Sequence, residues 1–282
     1  MSLIETAIRN AKRLAAAARA DETGSPAPSL APAHRHPRLQ RHRVPVTTPL
    51  QPARSFRSAA VDPQAMERQG VLLQVRDETA ERSYKILRTR MQQRMEAMPW
   101  HSIAITSASA ADGKTLTAIN VAIALARDVN TWVFLVDLDL QRPQVGAYLG
   151  LRFDKGLSDY LAGTAQFEDI VYEPGVERLA VIPNGRPLEQ SSELLGSPRM
   201  FDLCRSLAAE VPRRIVIFDM PPVLLSDDVL RFLPNVDGLL FVVSEGRTPR
   251  ASLTHAREVL PEDKLLGIVL NRSAEREEGG YY

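Results

Sequence analysis

From about residue 76 the chain alternates short apolar runs with longer stretches in which apolar positions recur every three or four residues. The runs are SIAIT (102–106), WVFLV (132–136), LAVI (179–182), RIVIF (214–218), LLFVV (239–243) and LGIVL (266–270), each of strand length. Between the first two, TLTAINVAIALARD carries Ile119, Ala122, Ile123 and Ala126 on one helical face. Ahead of them, RDETAERSYKILRTRMQQRMEAM reads as a helix stopped by Pro99. Strands that are apolar throughout and alternate with helices predict an α/β fold, a mostly parallel sheet with helices on both faces. In that architecture ligands bind beyond the carboxyl ends of the strands.

The front of the chain has a different pattern. Ile4, Ala7, Ile8, Ala11, Leu14, Ala15 and Ala18 recur at helical spacing, with Arg9, Lys12, Arg13 and Arg19 among them, so residues 1–20 read as a short basic amphipathic helix. Its apolar face is mostly alanine, which favours docking on a partner over insertion into lipid. Residues 21–75 are rich in Pro, Arg, Ala and Ser, with eight prolines between Pro26 and Pro63, and read as a disordered linker.

Charge changes this picture little. The 282 residues carry a net +1, but Lys and Arg outnumber Asp and Glu by 11 to 5 before residue 76 and are outnumbered 24 to 29 after it. The basic front is read as a solvated tether rather than a nucleic-acid surface. A single cysteine, Cys204, excludes a disulfide framework and a Cys-rich metal site. No apolar run approaches a membrane span and the first residues lack a signal-peptide core, so a cytoplasmic location is expected.

The strand ends carry the candidate chemistry. SIAIT runs into SASAADGKT (107–115) and then a helix, the context of a phosphate-binding loop, although Ala108 stands where the opening glycine is usual. Gly113 allows close backbone approach, Lys114 reaches toward phosphates, Thr115 offers a hydroxyl to Mg²⁺, and the helix start favours negative charge. Lys114 is expected to point into the ligand site and to matter little for stability. Asp137 and Asp139 follow the second strand, with Arg142 beyond, and Asp219 ends RIVIFD before Pro221 and Pro222. Any one of these aspartates alone reads as a cap or turn residue. Three together beside a phosphate loop read as a Mg²⁺ site with a base.

The order SASAADGKT, DLDLQRP and IVIFDMPP resembles the bacterial tyrosine kinases, with their modified Walker A, A′ and B motifs on a P-loop NTPase fold of the MinD/ParA kind. SSELLGSPRM, DGLLFVV and GIVLN extend the likeness over residues 76–282, as a kinase domain (76–272) and a flexible tail (273–282). The opening MSLIETAI is similar to the start of the exosortase-associated autokinases of exopolysaccharide clusters. The resemblance implies ATP and Mg²⁺ as cofactors. Ser109, Ala110, Ala111, Asp112, Gly113, Lys114, Thr115 and Leu116 would hold the nucleotide with Arg142, and Asn271 would contact adenine. It implies that Thr115 and Asp137 or Asp219 hold Mg²⁺, that Asp137 or Asp139 accepts the tyrosyl proton, and that Asp228 matches a further acidic position. Tyr281 and Tyr282 would be the phosphate acceptors, modified in trans. Implied partners are a membrane-embedded polysaccharide chain-length determinant on a separate polypeptide and a cognate tyrosine phosphatase.

Three departures accompany the likeness. The loop reads AADGK where the family has P-G-E-G-K. The ring-forming E-x-x-R-x-x-R falls on Arg82, Lys85 and Arg88, with Glu81 one residue off, which predicts weak self-association. The tyrosine cluster is reduced to two residues. Two rival readings are a non-catalytic nucleotide-binding regulator of polysaccharide export and a MinD/ParA-type partitioning ATPase. The second is disfavoured by Ser109, which stands where those proteins carry a signature lysine.

Overall fold

A computed structural model describes residues 55–273, apart from 75, 76, 129 and 212. The helix expected over 1–20, residues 21–54 and the tail 274–282 lie outside the described residues.

Each of the six apolar runs is a strand. They are β2 (Ser102–Ser107), β3 (Trp132–Asp137), β5 (Leu179–Ile182), β6 (Arg214–Asp219), β7 (Gly238–Ser244) and β8 (Leu265–Asn271). Two short strands join them, β1 (Arg57–Ser58) and β4 (Tyr172–Glu173), giving an eight-stranded sheet of order β1-β4-β5-β3-β6-β2-β7-β8. Every pairing is parallel except β4 with β5.

Side-chain alternation sends each strand to two cores. Ile103, Ile105, Val133, Leu135, Ile215 and Ile217 face one side, with Met91, Met95, Ile119 and Ile123. Those last four come from α2 (Glu78–Ala97) and α3 (Lys114–Ala126), close to the ranges expected. Ala104, Phe134, Val136, Val216 and Phe218 face the other side, under Leu203 and Leu207 of α8 (Pro198–Glu210) and Phe232 of α9 (Asp228–Phe232). Burial on both faces explains why these runs contain no polar alternation.

The linker expected over 21–75 is corrected for residues 55–74, which are built into the domain. Phe56 is buried in an edge-to-face aromatic cluster with Trp132, Phe134 and Phe167. Arg57 in β1 forms a two-pronged ion pair with Asp154 at 2.9 and 3.3 Å. Helix α1 (Pro63–Gln69) has Asp62 as its cap, Pro63 in its first turn and Gly70 in left-handed conformation at its end. Met66 and Val71 are buried, and Asn120 of α3 accepts from the Leu72 amide at 3.0 Å. Averaged composition hid four anchors, Phe56, Met66, Val71 and Leu72, that bury enough apolar surface to offset the ordering entropy.

On α2, Arg82 is exposed and Lys85 pairs with Glu81 of its own helix at 3.5 Å. Arg88 turns inward toward the Ala124 carbonyl. Among the described residues no helix is long and apolar enough to cross a membrane.

Candidate active site

Strands β2, β3 and β6 are adjacent, so their carboxyl ends deliver the phosphate-type loop, the Asp137/Asp139 pair and Asp219 to one place. Asp137 and Asp219 are register partners across β3 and β6. Helix α3 begins at Lys114 with no side chain capping it, which leaves first-turn amides for a ligand. A cleft of about 460 Å³ opens over this helix start. Ala110, Ala111, Gly113, Lys114 and Thr115 line one wall, Asp139, Arg142 and Gln144 another, and Pro221 and Pro222 a third.

Lys114 is the centre of the charge network. Its Nζ lies 2.9 Å from Asp139, 3.5 Å from Asp219 and 3.2 Å from the Thr115 hydroxyl, which donates to Asp219 at 2.7 Å. Burial alone would depress the Lys114 pKa, but the charges of Asp219 and Asp139 outweigh it and raise it. The expectation that Lys114 matters little to stability is therefore corrected, because it is only 9% exposed and neutralises buried carboxylates.

Asp137 is fully buried. One carboxylate oxygen accepts from the amides of Gln144 and Val145 at 3.0 and 2.9 Å, which open helix α4 (Val145–Leu149); the other has no hydrogen-bond partner. Burial first, and then the Asp219 charge, holds its pKa well above the usual carboxylate range. Burial raises Asp219 too, opposed by Lys114 and Thr115. An orphaned buried carboxylate oxygen beside Asp219 and a threonine hydroxyl fits a hard divalent cation. Among the described residues no three His, Cys, Asp or Glu side chains converge to cage an ion. Magnesium typically takes one or two carboxylates and completes its shell with phosphate oxygens and water, which suits this donor set.

The loop accommodates its missing glycines unequally. Ala108 is buried and is not among the residues with positive φ, so the absent opening glycine has no backbone consequence. Ala111 stands where the family pattern has the glycine of P-G-E-G-K, and its φ is +64°. A Cβ in left-handed conformation costs about 1–2 kcal/mol, partly offset by the smaller conformational freedom of alanine in the unfolded chain. Ala111→Gly is expected to raise stability by about 0.5–1 kcal/mol. Thermal unfolding of the two proteins measures this, and an equal or lower Tm would show that the turn is unstrained. Gly113 is also left-handed, with φ +94°, and a Cβ there would collide with the Asn271 amide.

The remaining expected site residues are placed as follows. The Ser109 amide donates to Asp112 at 3.0 Å. Leu116 packs its side chain on the core and is not among the residues lining the cleft. The Arg142 side chain is exposed at the cleft, and its amide donates to Asp139 at 3.1 Å. Asn271 uses its amide nitrogen on the Asp112 carbonyl at 2.9 Å and its oxygen on the Arg272 amide, so an adenine contact requires those bonds to be exchanged. Asp228 does not cap a helix with its side chain. It is buried at the start of α9 and accepts from Ser191, which in turn accepts from Gln141 at the cleft. Tyr281 and Tyr282 lie outside the described residues. Sequence reasoning missed Thr248, which lies in no motif, and gave no role to Ser191, the first residue of SSELLGSPRM; both reach the site only through tertiary contacts.

No family model matches the chain. It is 33% identical over 204 residues to the tyrosine-protein kinase YwqD of Bacillus subtilis, covering 71% of this chain and 84% of that one. It is 30% identical over 179 residues to the tyrosine-protein kinase CpsD of Streptococcus agalactiae, covering 61% and 75%. A 34% identity over 185 residues links it to the succinoglycan biosynthesis transport protein ExoP of Rhizobium meliloti, of which it spans only 23%. Among solved structures, the BceF tyrosine kinase domain superposes with a TM-score of 0.63 at 28% identity, covering 76% of this chain and 90% of that one. The kinase domain of the Escherichia coli tyrosine kinase ETK, with a TM-score of 0.62 at 23% identity over 79% of this chain and 94% of that one, shares the fold. With its P-loop, paired strand-end aspartates and buried lysine, the chain belongs to the bacterial tyrosine kinases.

Proposed function

We propose that this protein is an ATP- and Mg²⁺-dependent tyrosine autokinase of exopolysaccharide or capsule synthesis, modifying its own Tyr281 and Tyr282 in trans. The observation that carries the reading is Lys114 at the uncapped start of α3, within 3.5 Å of both Asp139 and Asp219.

Phosphoryl transfer needs positioning and charge neutralisation more than covalent participation by the protein. The loop amides and the α3 N-terminus cradle the phosphates, and Lys114 turns its ammonium from Asp139 toward the transferring group. That exchange frees Asp139, which lines the cleft, to accept the tyrosyl proton as the phenolic oxygen attacks the γ-phosphorus and ADP leaves. Thr115, Asp219 and the partnerless oxygen of Asp137 would hold Mg²⁺, which would supply charge neutralisation for the phosphates when bound.

Exposure argues against the described tyrosines as acceptors. Tyr160 and Tyr172 are buried, and Tyr84 and Tyr148 are half-buried, so each described tyrosine presents a poor substrate. Tyr281 and Tyr282 follow two glycines that give the tail reach. The natural partners of such a kinase are a membrane-embedded chain-length determinant, which places it at the inner face of the membrane, and a cognate phosphatase. Self-association is weak because Arg82 replaces the ring-forming glutamate. Mixing Lys114→Ala protein with active enzyme and mapping phosphate by mass spectrometry tests the reading. Phosphate is expected on Tyr281 and Tyr282 of the inactive chain. Its absence there refutes transfer in trans, its location on Tyr84 or Tyr172 refutes the tail assignment, and nucleotide binding without any phosphotyrosine identifies a non-catalytic regulator.

A further inference from the structure

The phosphate-type loop is gripped from behind by the segment that follows β7 and by the end of β8. Asp112 sits between the left-handed residues Ala111 and Gly113 and is 2% exposed. One of its carboxylate oxygens accepts from the Ser109 amide across the loop, and the other accepts the Thr248 hydroxyl at 2.8 Å. Thr248 belongs to the segment after β7, where its hydroxyl oxygen accepts from the Ser244 amide at 2.8 Å and its own amide donates to the Ser244 carbonyl at 3.0 Å. Asn271, at the end of β8, donates to the Asp112 carbonyl. The Thr248 hydroxyl therefore passes one hydrogen bond from the backbone of β7 to the only loop carboxylate, and both of its polar functions are used.

We propose that Thr248 is a positioning residue for nucleotide binding: it holds the loop in its ligand-ready shape through Asp112. The inference rests on the reading of this loop as the nucleotide site. A loop without the family's proline has less intrinsic rigidity, and alanine in a left-handed turn persists only where its surroundings over-determine it. The Thr248–Asp112 bond supplies that constraint. Without it the loop samples shapes whose amides do not converge, and apparent affinity falls with the competent fraction.

Thr248→Val keeps the side-chain shape and removes the donor, whereas Thr248→Ser keeps the donor. Binding of a fluorescent N-methylanthraniloyl ATP in the presence of Mg²⁺ is measured for the full-length protein and both variants. The expected result is a Kd raised about tenfold or more in Thr248→Val, the scale of a lost hydrogen bond to a charged group, and restored to within about threefold in Thr248→Ser. In autophosphorylation assays KM for ATP rises with Kd while kcat at saturating ATP changes by less than about threefold, because ligand pays back the loop ordering. A role confined to folding would instead lower the active fraction and leave KM unchanged. Should Thr248→Val fold poorly, Asp112→Asn tests the same bond from the other side, since Ser109 and Thr248 donate to different carboxylate oxygens and asparagine keeps only one of them. Unchanged affinity in Thr248→Val, or equal loss in Thr248→Ser, overturns the proposal. If the unaltered protein does not bind the probe at all, the nucleotide reading itself fails, and the proposal with it.

Discussion

Lys114→Ala is expected to lower autophosphorylation by about a thousandfold, the scale seen when a preorganised donor is removed from a transition-state site. It is also expected to lower stability at neutral pH by about 3 kcal/mol, as breaking a buried ion pair does. Both effects have the same origin. The ammonium lies 2.9 Å from Asp139 and 3.5 Å from Asp219, with Asp137 behind them, and without it three carboxylates share a buried space. Burial raises the pKa of Asp137 and Asp219, so acidification protonates these two and the stability deficit shrinks as pH falls. Phosphotyrosine blotting and urea unfolding at pH 7 and pH 5 measure the two consequences. Full autophosphorylation by the variant would sink the site assignment, and a stability change below about 1 kcal/mol would show that solvent reaches the carboxylates.

Asp137→Asn is expected to act in opposite directions on activity and stability. Its carboxyl is held well above the usual range, first by burial and then by Asp219. In the unfolded chain the group ionises near pH 4; in the folded chain it resists ionisation. Below the unfolded pKa both states hold the proton and the group is neutral to folding. As pH rises above that value, the unfolded state alone is relieved by ionisation, and the fold loses stability until the folded pKa is passed. Asparagine removes that loss. Its oxygen still accepts from the Gln144 and Val145 amides, and its NH₂ takes the position of the partnerless oxygen. The ligand-free variant should gain about 1 kcal/mol at pH 7, with the gain vanishing near pH 4. Kinase activity should fall at least about a hundredfold, because a ligand for the divalent ion is lost. Tm measured against pH, alongside kcat, checks both. A variant less stable than the parent at pH 7 would mean that Asp137 is ionised and satisfied in the ligand-free protein.

The parallel sheet and most of the site were legible because both rest on local patterns. Buried parallel strands are apolar throughout, and a strand end followed by Asp or by Gly-Lys-Thr is a contiguous signal. What escaped notice depends on distant partners. Strands β1 and β4 are two residues each and are defined by pairing alone, β1 with β4 and β4 also with β5. Helix α1 did carry a signal: Asp62, Pro63 and Gly70 are a cap, a first-turn proline and a terminating glycine. Those three were outvoted by the surrounding proline-rich composition. Thr248 and Ser191 are ordinary residues in the sequence and acquire meaning only when β7 and α9 reach the loop and the cleft.

The edge position of β1 has a mechanical consequence. Two residue pairs, one buried ring and the exposed Arg57–Asp154 pair are the strand's main attachments. Load arriving through the chain ahead of residue 55 is thus borne first at the sheet margin, where peeling two residue pairs relieves it. The phosphate-type loop springs from β2, five strands further in, about 24 Å away at ordinary strand spacing. The margin works as a fuse, and tension is released there before any of it deforms the loop.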